Sequence, residues 1–118
     1  MPVIHIYAPL NCPSAGYLAE LAGEISGTLG IKEEKVWVFW NKKDLVECHK
    51  RDWIDQLRPA PVFHITCRAV YTAAELEGVI QVILRVTRET LGCDERQIFI
   101  SFNRVERGEL YAFGEIWK

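Results

Sequence analysis

The sequence predicts an α+β fold in which two tandem β-α-β units form one four-stranded sheet with two helices on one face. The first observation is an internal repeat, because the segment at residues 2–6 (PVIHI) has a close copy at residues 61–65 (PVFHI). The second is that a helical pattern ending in Leu-Gly follows each copy, and another apolar segment comes after it. We therefore expect a single domain of two pseudo-repeats, spanning about residues 2–58 and about residues 61–118.

The first unit reads as a strand at residues 3–8, a helix, and a strand at residues 36–40. The helix is expected to start at about Pro13, because the first helical turn has no partner for the N–H that proline lacks. It is expected to end at Gly30, since glycine adopts the left-handed conformation without strain. Its apolar face has helical spacing and consists of Leu18, Leu21, Ala22, Ile25 and Leu29.

The second unit reads as a strand at residues 62–67, a helix, and a strand at residues 98–102. Thr72 and Glu75 have the spacing of a capping box, in which each side chain accepts a hydrogen bond from the other residue's backbone N–H. Gly92 marks the expected end of this helix. Its buried stripe consists of Leu76, Val79, Ile80, Ile83 and Val86.

The strand at residues 36–40 (VWVFW) contains no polar residue. A half-exposed strand alternates polar and apolar residues, so both faces of this strand are expected to be covered. The helices would cover one face and another subunit the other. Residues 42–59 are expected to form a charged crossover with one helical turn. A short extra strand is expected near residues 110–117, where it could pair with a neighbouring sheet edge.

Composition excludes several classes of function. The chain has 118 residues, 49% of them hydrophobic, and a formal net charge of -2, so it carries no broad basic field for nucleic acid or an anionic membrane. Its four cysteines have no paired spacing, which favours free thiols in the cytoplasm over a disulfide or zinc framework. We therefore expect no metal site.

A resemblance to a known family appears once Pro2, the doubled unit and Arg68 at the end of the repeated strand are considered together. The chain resembles the tautomerase superfamily, which includes 4-oxalocrotonate tautomerase, cis-3-chloroacrylic acid dehalogenase, malonate semialdehyde decarboxylase and macrophage migration inhibitory factor. It looks most similar to the dehalogenase-like, fused members, especially along residues 64–81 and 94–103. The resemblance implies a cofactor-independent enzyme, a homotrimer, and catalysis by an amino-terminal proline.

Pro2 has a chemical reason to be the catalytic residue of such a protein. Within a chain its nitrogen is an amide, but removal of Met1 would turn it into a secondary amine. An exposed α-amino group titrates at about 7.7–8.0, and burial or a nearby cation would lower that pKa. The neutral amine could then take a proton from the carbon next to a carbonyl and return it elsewhere. A simpler role for Pro2 is to start an edge strand.

The remaining candidate residues would bind the substrate. By resemblance, Arg68 holds the substrate carboxylate, and a planar guanidinium suits this role because it can form two parallel hydrogen bonds. Tyr71 stands where dehalogenase-like members look to carry a second arginine, so it could donate one hydrogen bond but brings no charge. Trp40, Phe102 and Asn103 are candidates for the wall of the proline pocket.

Two further positions depart from the dehalogenase pattern. Ala112 and Ser101 stand where those members use an acidic residue and a tyrosine, which disfavours hydrolytic dehalogenation. His5 and His64 occupy equivalent repeat positions and have no metal-ligand spacing, so we expect them to line a strand face or a subunit contact.

The sequence therefore predicts a tautomerase or isomerase acting on a 2-oxo, enol or unsaturated carboxylic acid. Two alternatives stay open: a non-catalytic, oligomeric ligand-binding relative, and a decarboxylase or hydratase of the same superfamily.

Overall fold

Two β-α-β units lie side by side in one mixed sheet, as the repeat predicts. The computed structural model describes residues 1–118. Its elements in chain order are β1 (Val3–Ala8), α1 (Ala15–Leu29), β2 (Trp37–Lys42), α2 (Arg51–Asp55), β3 (Val62–Arg68), α3 (Ala73–Leu91), β4 (Phe99–Val105), β5 (Tyr111–Ala112) and β6 (Glu115–Ile116). The expected α+β fold with a four-stranded sheet and two long helices is confirmed. None of the helices combines the length and the hydropathy that a membrane crossing requires.

The order of the strands determines which residues meet. The sheet runs β2-β1-β3-β4, with β1 parallel to β2, β3 parallel to β4, and β1 antiparallel to β3. The antiparallel register pairs Val3 with Thr66 at one end of the two central strands. Consequently the amino-terminal end of β1, which follows Pro2, lies beside the carboxyl end of β3, which carries Arg68.

The helix ends follow the capping residues in the sequence. In α3, Thr72 and Glu75 form both hydrogen bonds of the capping box, and Gly92 ends the helix in the left-handed conformation. Gly30 ends α1 in the same way. The helix α1 begins at Ala15 instead of about Pro13, because Ser14 is extended and its hydroxyl oxygen accepts from the Tyr17 N–H at 3.1 Å.

The core lies between the two long helices and one face of the sheet. Alternate residues of the central strands point into it, and Ile4, Ile6 and Phe63 are completely buried there. From the helices, Leu21, Ile25, Ile83 and Val86 are among the residues that pack against them. Burying an aliphatic side chain of this size contributes about 1.5–3 kcal/mol, so the two-layer packing stabilises the sheet that carries Pro2 and Arg68.

The opposite face of the sheet is not covered within one chain. Its aromatic residues remain partly accessible, with Trp37 42%, Phe39 46% and Phe99 52% exposed. The expectation that both faces of the second strand are covered is thus met on the helix side only. We call this surface the open face, and its outward residues are Val3, His5, Tyr7, Trp37, Phe39, Asn41, Val62, His64, Thr66, Arg68, Phe99, Ser101, Asn103 and Val105.

Beyond β4 the chain forms a hairpin in place of the single strand expected near residues 110–117. The strands β5 and β6 pair with each other and not with a sheet edge. Between them, Phe113 and Gly114 both have positive φ values, 53° and 86°. A two-residue turn with this geometry matches the right-handed twist of the flanking strands, which favours a tight hairpin. The crossover contains the expected helical turn, α2.

Candidate functional site

The amino terminus is buried at one end of the two central strands of the sheet. Pro2 precedes β1 directly, and its carbonyl oxygen accepts from the Trp37 N–H at 3.1 Å, which ties the terminus to β2. Met1 is only 7% exposed, and its amino nitrogen lies 3.4 Å from the Tyr71 hydroxyl oxygen. The Met1 amine therefore lies in a defined, partly buried position.

The surroundings of this amine favour its neutral form. Burial is the main reason that the pKa of the Met1 amino group lies below its ordinary value. The positive charge of Arg68 lowers the pKa further and Lys35 adds a smaller effect, whereas Cys67 opposes them. These are the conditions under which an amine at neutral pH is able to accept a proton.

Arg68 is a half-buried cation without a carboxylate partner. It is the last residue of β3 and lies beside Val105 of β4. Its Nε is buried and has no hydrogen-bond partner, and none of the ion pairs in the protein includes Arg68. The carboxylate of Glu75 caps α3 and does not bind Arg68. The charge of the guanidinium is therefore not neutralised by any carboxylate of the chain.

Tyr71 links the amino terminus to the cations. Burial raises the pKa of its phenol, which stays protonated at neutral pH and keeps its O–H as a donor. The Arg104 guanidinium donates a 3.0 Å hydrogen bond to the Tyr71 carbonyl oxygen and so fixes the loop after β3. Although Tyr71 brings no charge, an arginine from β4 thus lies close to it.

The pocket beside Arg68 has a volume of about 690 Å³ and is closed mainly by the carboxyl-terminal hairpin. Lys35 lines it together with Arg68, so two cations face the same space. The Arg68 guanidinium carbon lies 5.0 Å from the centre of the Trp117 ring, and the Lys35 Nζ lies 5.6 Å from that of Phe113. Nothing in the sequence pattern singled out Lys35, Phe113 or Trp117, because the sheet register brings Lys35 to Arg68 and the folded hairpin brings the two aromatic residues.

The residues expected to line the proline pocket lie in different places. Trp40 pairs with Ile6, four residues along β1 from Pro2 and roughly 13 Å away, and its indole N–H donates to the Leu10 carbonyl at 2.9 Å. Phe102 packs against the core. Asn103 is exposed on the open face, two strands from β1. Within one chain, therefore, Arg68 and Tyr71 lie close to the amino terminus, whereas Trp40 and Phe102 do not.

Aromatic side chains form a continuous row across the open face. Phe39 stacks on His5 at 5.2 Å between ring centres, Tyr7 meets His64 at 5.7 Å, and His64 meets Phe99 at 5.9 Å. The two histidines lie on a strand face, as expected, and pair directly across β1 and β3. The outward residues of this face include no carboxylate.

The fold is shared with solved structures of low sequence identity. The R7 fused 4-OT, an asymmetric trimer, has a TM-score of 0.83 and 14% identity over 97% of this chain and 94% of its own. Pt0534 inactivated by 2-oxo-3-pentynoate has a TM-score of 0.82 and 15% identity over 98% and 94%. The macrophage migration inhibitory factor of Oncomelania hupensis has a TM-score of 0.82 and 15% identity over 100% and 83%.

The likeness is one of structure. The sequence matches no protein-family model and no curated protein. Together the three structures confirm the fold that the resemblance implied, over essentially the whole chain.

Proposed function

We propose that this protein is a cofactor-free tautomerase or isomerase of the tautomerase superfamily, acting on a 2-oxo, enol or unsaturated carboxylic acid. The observation that carries the proposal is the pairing of an unpartnered, half-buried Arg68 with a buried amino terminus whose amine pKa is lowered. One group suits carboxylate binding and the other suits proton transfer, and the sheet register brings them together.

Pro2 acts as general acid and base once Met1 has been removed. Its nitrogen is then a secondary amine. Burial and the charge of Arg68 lower the pKa of the Met1 amine, and we expect both to lower the pKa of the Pro2 amine in the same way. In its neutral form it accepts a proton from the carbon next to the substrate carbonyl, and the resulting ammonium returns the proton to a different atom of the substrate. No redox step and no metal is required.

Arg68 and Tyr71 bind the substrate in this proposal. Arg68 forms two parallel hydrogen bonds with the substrate carboxylate, and its charge stabilises the negative charge that develops as the enolate forms. The neutral Tyr71 phenol, whose oxygen lies 3.4 Å from the Met1 amino nitrogen, donates to an oxygen of the substrate. The inactivation of the structurally similar Pt0534 by 2-oxo-3-pentynoate supports a small 2-oxo acid as the substrate class.

The working form in this proposal is a homotrimer in the cytoplasm. The open face, with its exposed Trp37, Phe39 and Phe99, supports covering by further copies of the chain. The structurally similar R7 fused 4-OT is a trimer, which supports three copies of the chain in the assembly. All four cysteines are free thiols, which supports a reducing compartment.

The test is the activity of Pro2→Ala with the enol of phenylpyruvate or with 2-hydroxymuconate. Protein that lacks Met1, verified by intact mass, is expected to ketonise one of these acids. The rate with Pro2→Ala should fall roughly 10²–10⁴-fold, the usual contribution of general acid–base catalysis. Pro13→Ala is the matched control, since Pro13 is exposed and lies outside the site. Full activity in folded Pro2→Ala would overturn the proposal.

A second function is favoured by the buried Met1, whose amine contacts Tyr71. When Met1 is retained, the Pro2 nitrogen is an amide and has no useful basicity. In that case Arg68 still binds carboxylates, but the protein does not convert them. Intact-mass measurement on protein from its native host separates the two functions. A mass that includes methionine, together with carboxylate binding without turnover, would favour the ligand-binding function.

A further inference from the structure

We propose that Trp117 is a positioning residue, which holds the Arg68 guanidinium in the orientation that binds a carboxylate. This inference rests on the proposed role of Arg68 in carboxylate binding and extends it to the carboxyl-terminal hairpin. The observation behind it is that Arg68 lies over an aromatic ring and forms no ion pair with an acidic residue.

The contacts of Arg68 explain why a positioning residue is needed. An arginine side chain has several rotatable bonds, and about 2 kcal/mol of rotamer entropy opposes holding it in one place. Its Nε forms no hydrogen bond, and no carboxylate pairs with it. The Trp117 ring, 5.0 Å from the guanidinium carbon, is the partner that the structure provides.

Trp117 is itself held firmly by the hairpin. Its backbone N–H donates to the Leu110 carbonyl at 2.8 Å, and its carbonyl oxygen accepts from the Gly108 N–H at 2.6 Å. Arg107 also stacks on the ring, at 5.1 Å, and donates a 2.6 Å hydrogen bond to the Lys118 carbonyl. The backbone that carries the indole is therefore fixed, and Arg68 and Arg107 both lie over the ring.

An aromatic ring has a chemical advantage over a carboxylate in this position. The face of an indole attracts a cation but accepts no conventional hydrogen bonds from it, so the N–H donors stay free for the ligand. A carboxylate from the chain would neutralise Arg68 and compete with the substrate. Lys35, the other cation of the pocket, repeats the arrangement, because its Nζ lies over Phe113 of the same hairpin and forms no ion pair.

The expected effect is on binding more than on turnover. Cation–π contacts with tryptophan contribute enough that their loss should weaken carboxylate binding about fivefold to thirtyfold. Trp117→Leu retains apolar volume and removes the ring, so KM should rise by that factor with kcat nearly unchanged. Trp117→Phe retains an aromatic face and should stay within about threefold of the wild type.

Titration calorimetry with 3-phenylpropanoate, an unreactive carboxylate, tests the inference without relying on turnover. The wild type, Trp117→Leu, Trp117→Phe, Arg68→Gln and the double variant Trp117→Leu/Arg68→Gln are compared, after thermal melts show that each is folded. If Trp117 acts through Arg68, the leucine substitution weakens binding in the wild-type background and has no further effect in the Arg68→Gln background. The affinity for 3-phenylpropanamide, the neutral amide of the ligand, should be the same in the wild type and in Trp117→Leu.

The outcomes separate this inference from the proposed function. Unchanged affinity in Trp117→Leu, or an equal loss in both backgrounds, would overturn the positioning role. Failure of the wild type to bind the carboxylate would overturn it as well, together with the carboxylate site. Binding that depends on Trp117 and Arg68 in a protein that turns over no acid would support the positioning role and contradict the proposed enzymatic activity.

Discussion

Replacement of Arg68 by glutamine tests the carboxylate site most directly. Charge-assisted hydrogen bonds contribute about 1.5–3 kcal/mol each. Two of them at the lower value, appropriate because Arg68 is only half-buried, amount to about 3 kcal/mol. The value of kcat/KM for a 2-oxo acid should therefore fall roughly a hundredfold or more. Arg68→Lys retains the charge and loses the planar fork, so its loss should be smaller.

The same substitution should also change the pH dependence. Arg68 is the second cause, after burial, of the lowered amine pKa. Its removal raises that pKa, so the acidic limb of kcat/KM against pH moves to higher pH in Arg68→Gln and stays near the wild-type position in Arg68→Lys. The assay is ketonisation by the protein that lacks Met1, followed between pH 5 and pH 9.

Arg85→Gln is the matched control for the loss of a positive charge. Arg85 lies on α3 and forms exposed ion pairs with Glu24 and Glu89, at 3.0 and 3.8 Å. Exposed pairs of this kind contribute little, so kcat/KM should be unchanged. The reasoning would be refuted if Arg68→Gln had the same kcat/KM as the wild type. It would also be refuted if kcat/KM fell equally in Arg68→Gln and in Arg85→Gln.

Three further predictions concern the amine, the open face and the fold. In the wild type, kcat/KM should rise with pH through a midpoint below 8, because the neutral amine is the base and its pKa is lowered; a midpoint above 8 would contradict this. Phe39→Lys should dissociate the oligomer in light scattering, because a charge would replace an aromatic side chain that is 46% exposed on the open face. The equally charged Val46→Lys, at a site 90% exposed in the crossover, should leave the assembly intact. Thr72→Ala removes the capping-box hydroxyl and should lower the free energy of unfolding by about 1 kcal/mol in urea, whereas Thr28→Ala, in the exposed part of α1, should change it less.

Much of the fold could be predicted from the chain because its determinants are local. The glycines that end α1 and α3 and the capping box at Thr72 act within a few residues of themselves, and the repeat at Pro2 and Pro61 marks the first strand of each unit. Pro2 could be singled out by the chemistry of an amino-terminal proline, whereas Arg68 and Tyr71 could be singled out only through the resemblance to the tautomerase superfamily. The helix α1 starts at Ala15, two residues after the expected start at Pro13, because the Ser14 side chain caps the helix.

The pocket could not be predicted because it depends on contacts between distant residues. Lys35 precedes β2 and Trp117 lies near the end of the chain, and only the sheet register and the folded hairpin bring them to Arg68. The tight turn at Phe113 and Gly114 decides that residues 111–116 pair with each other and not with a sheet edge. The sequence by itself thus determined the repeat, the helix ends and the residue types available for the chemistry. The tertiary structure alone decided that Arg68 is partnered by an aromatic ring and not by an acid, since that choice depends on where the hairpin packs.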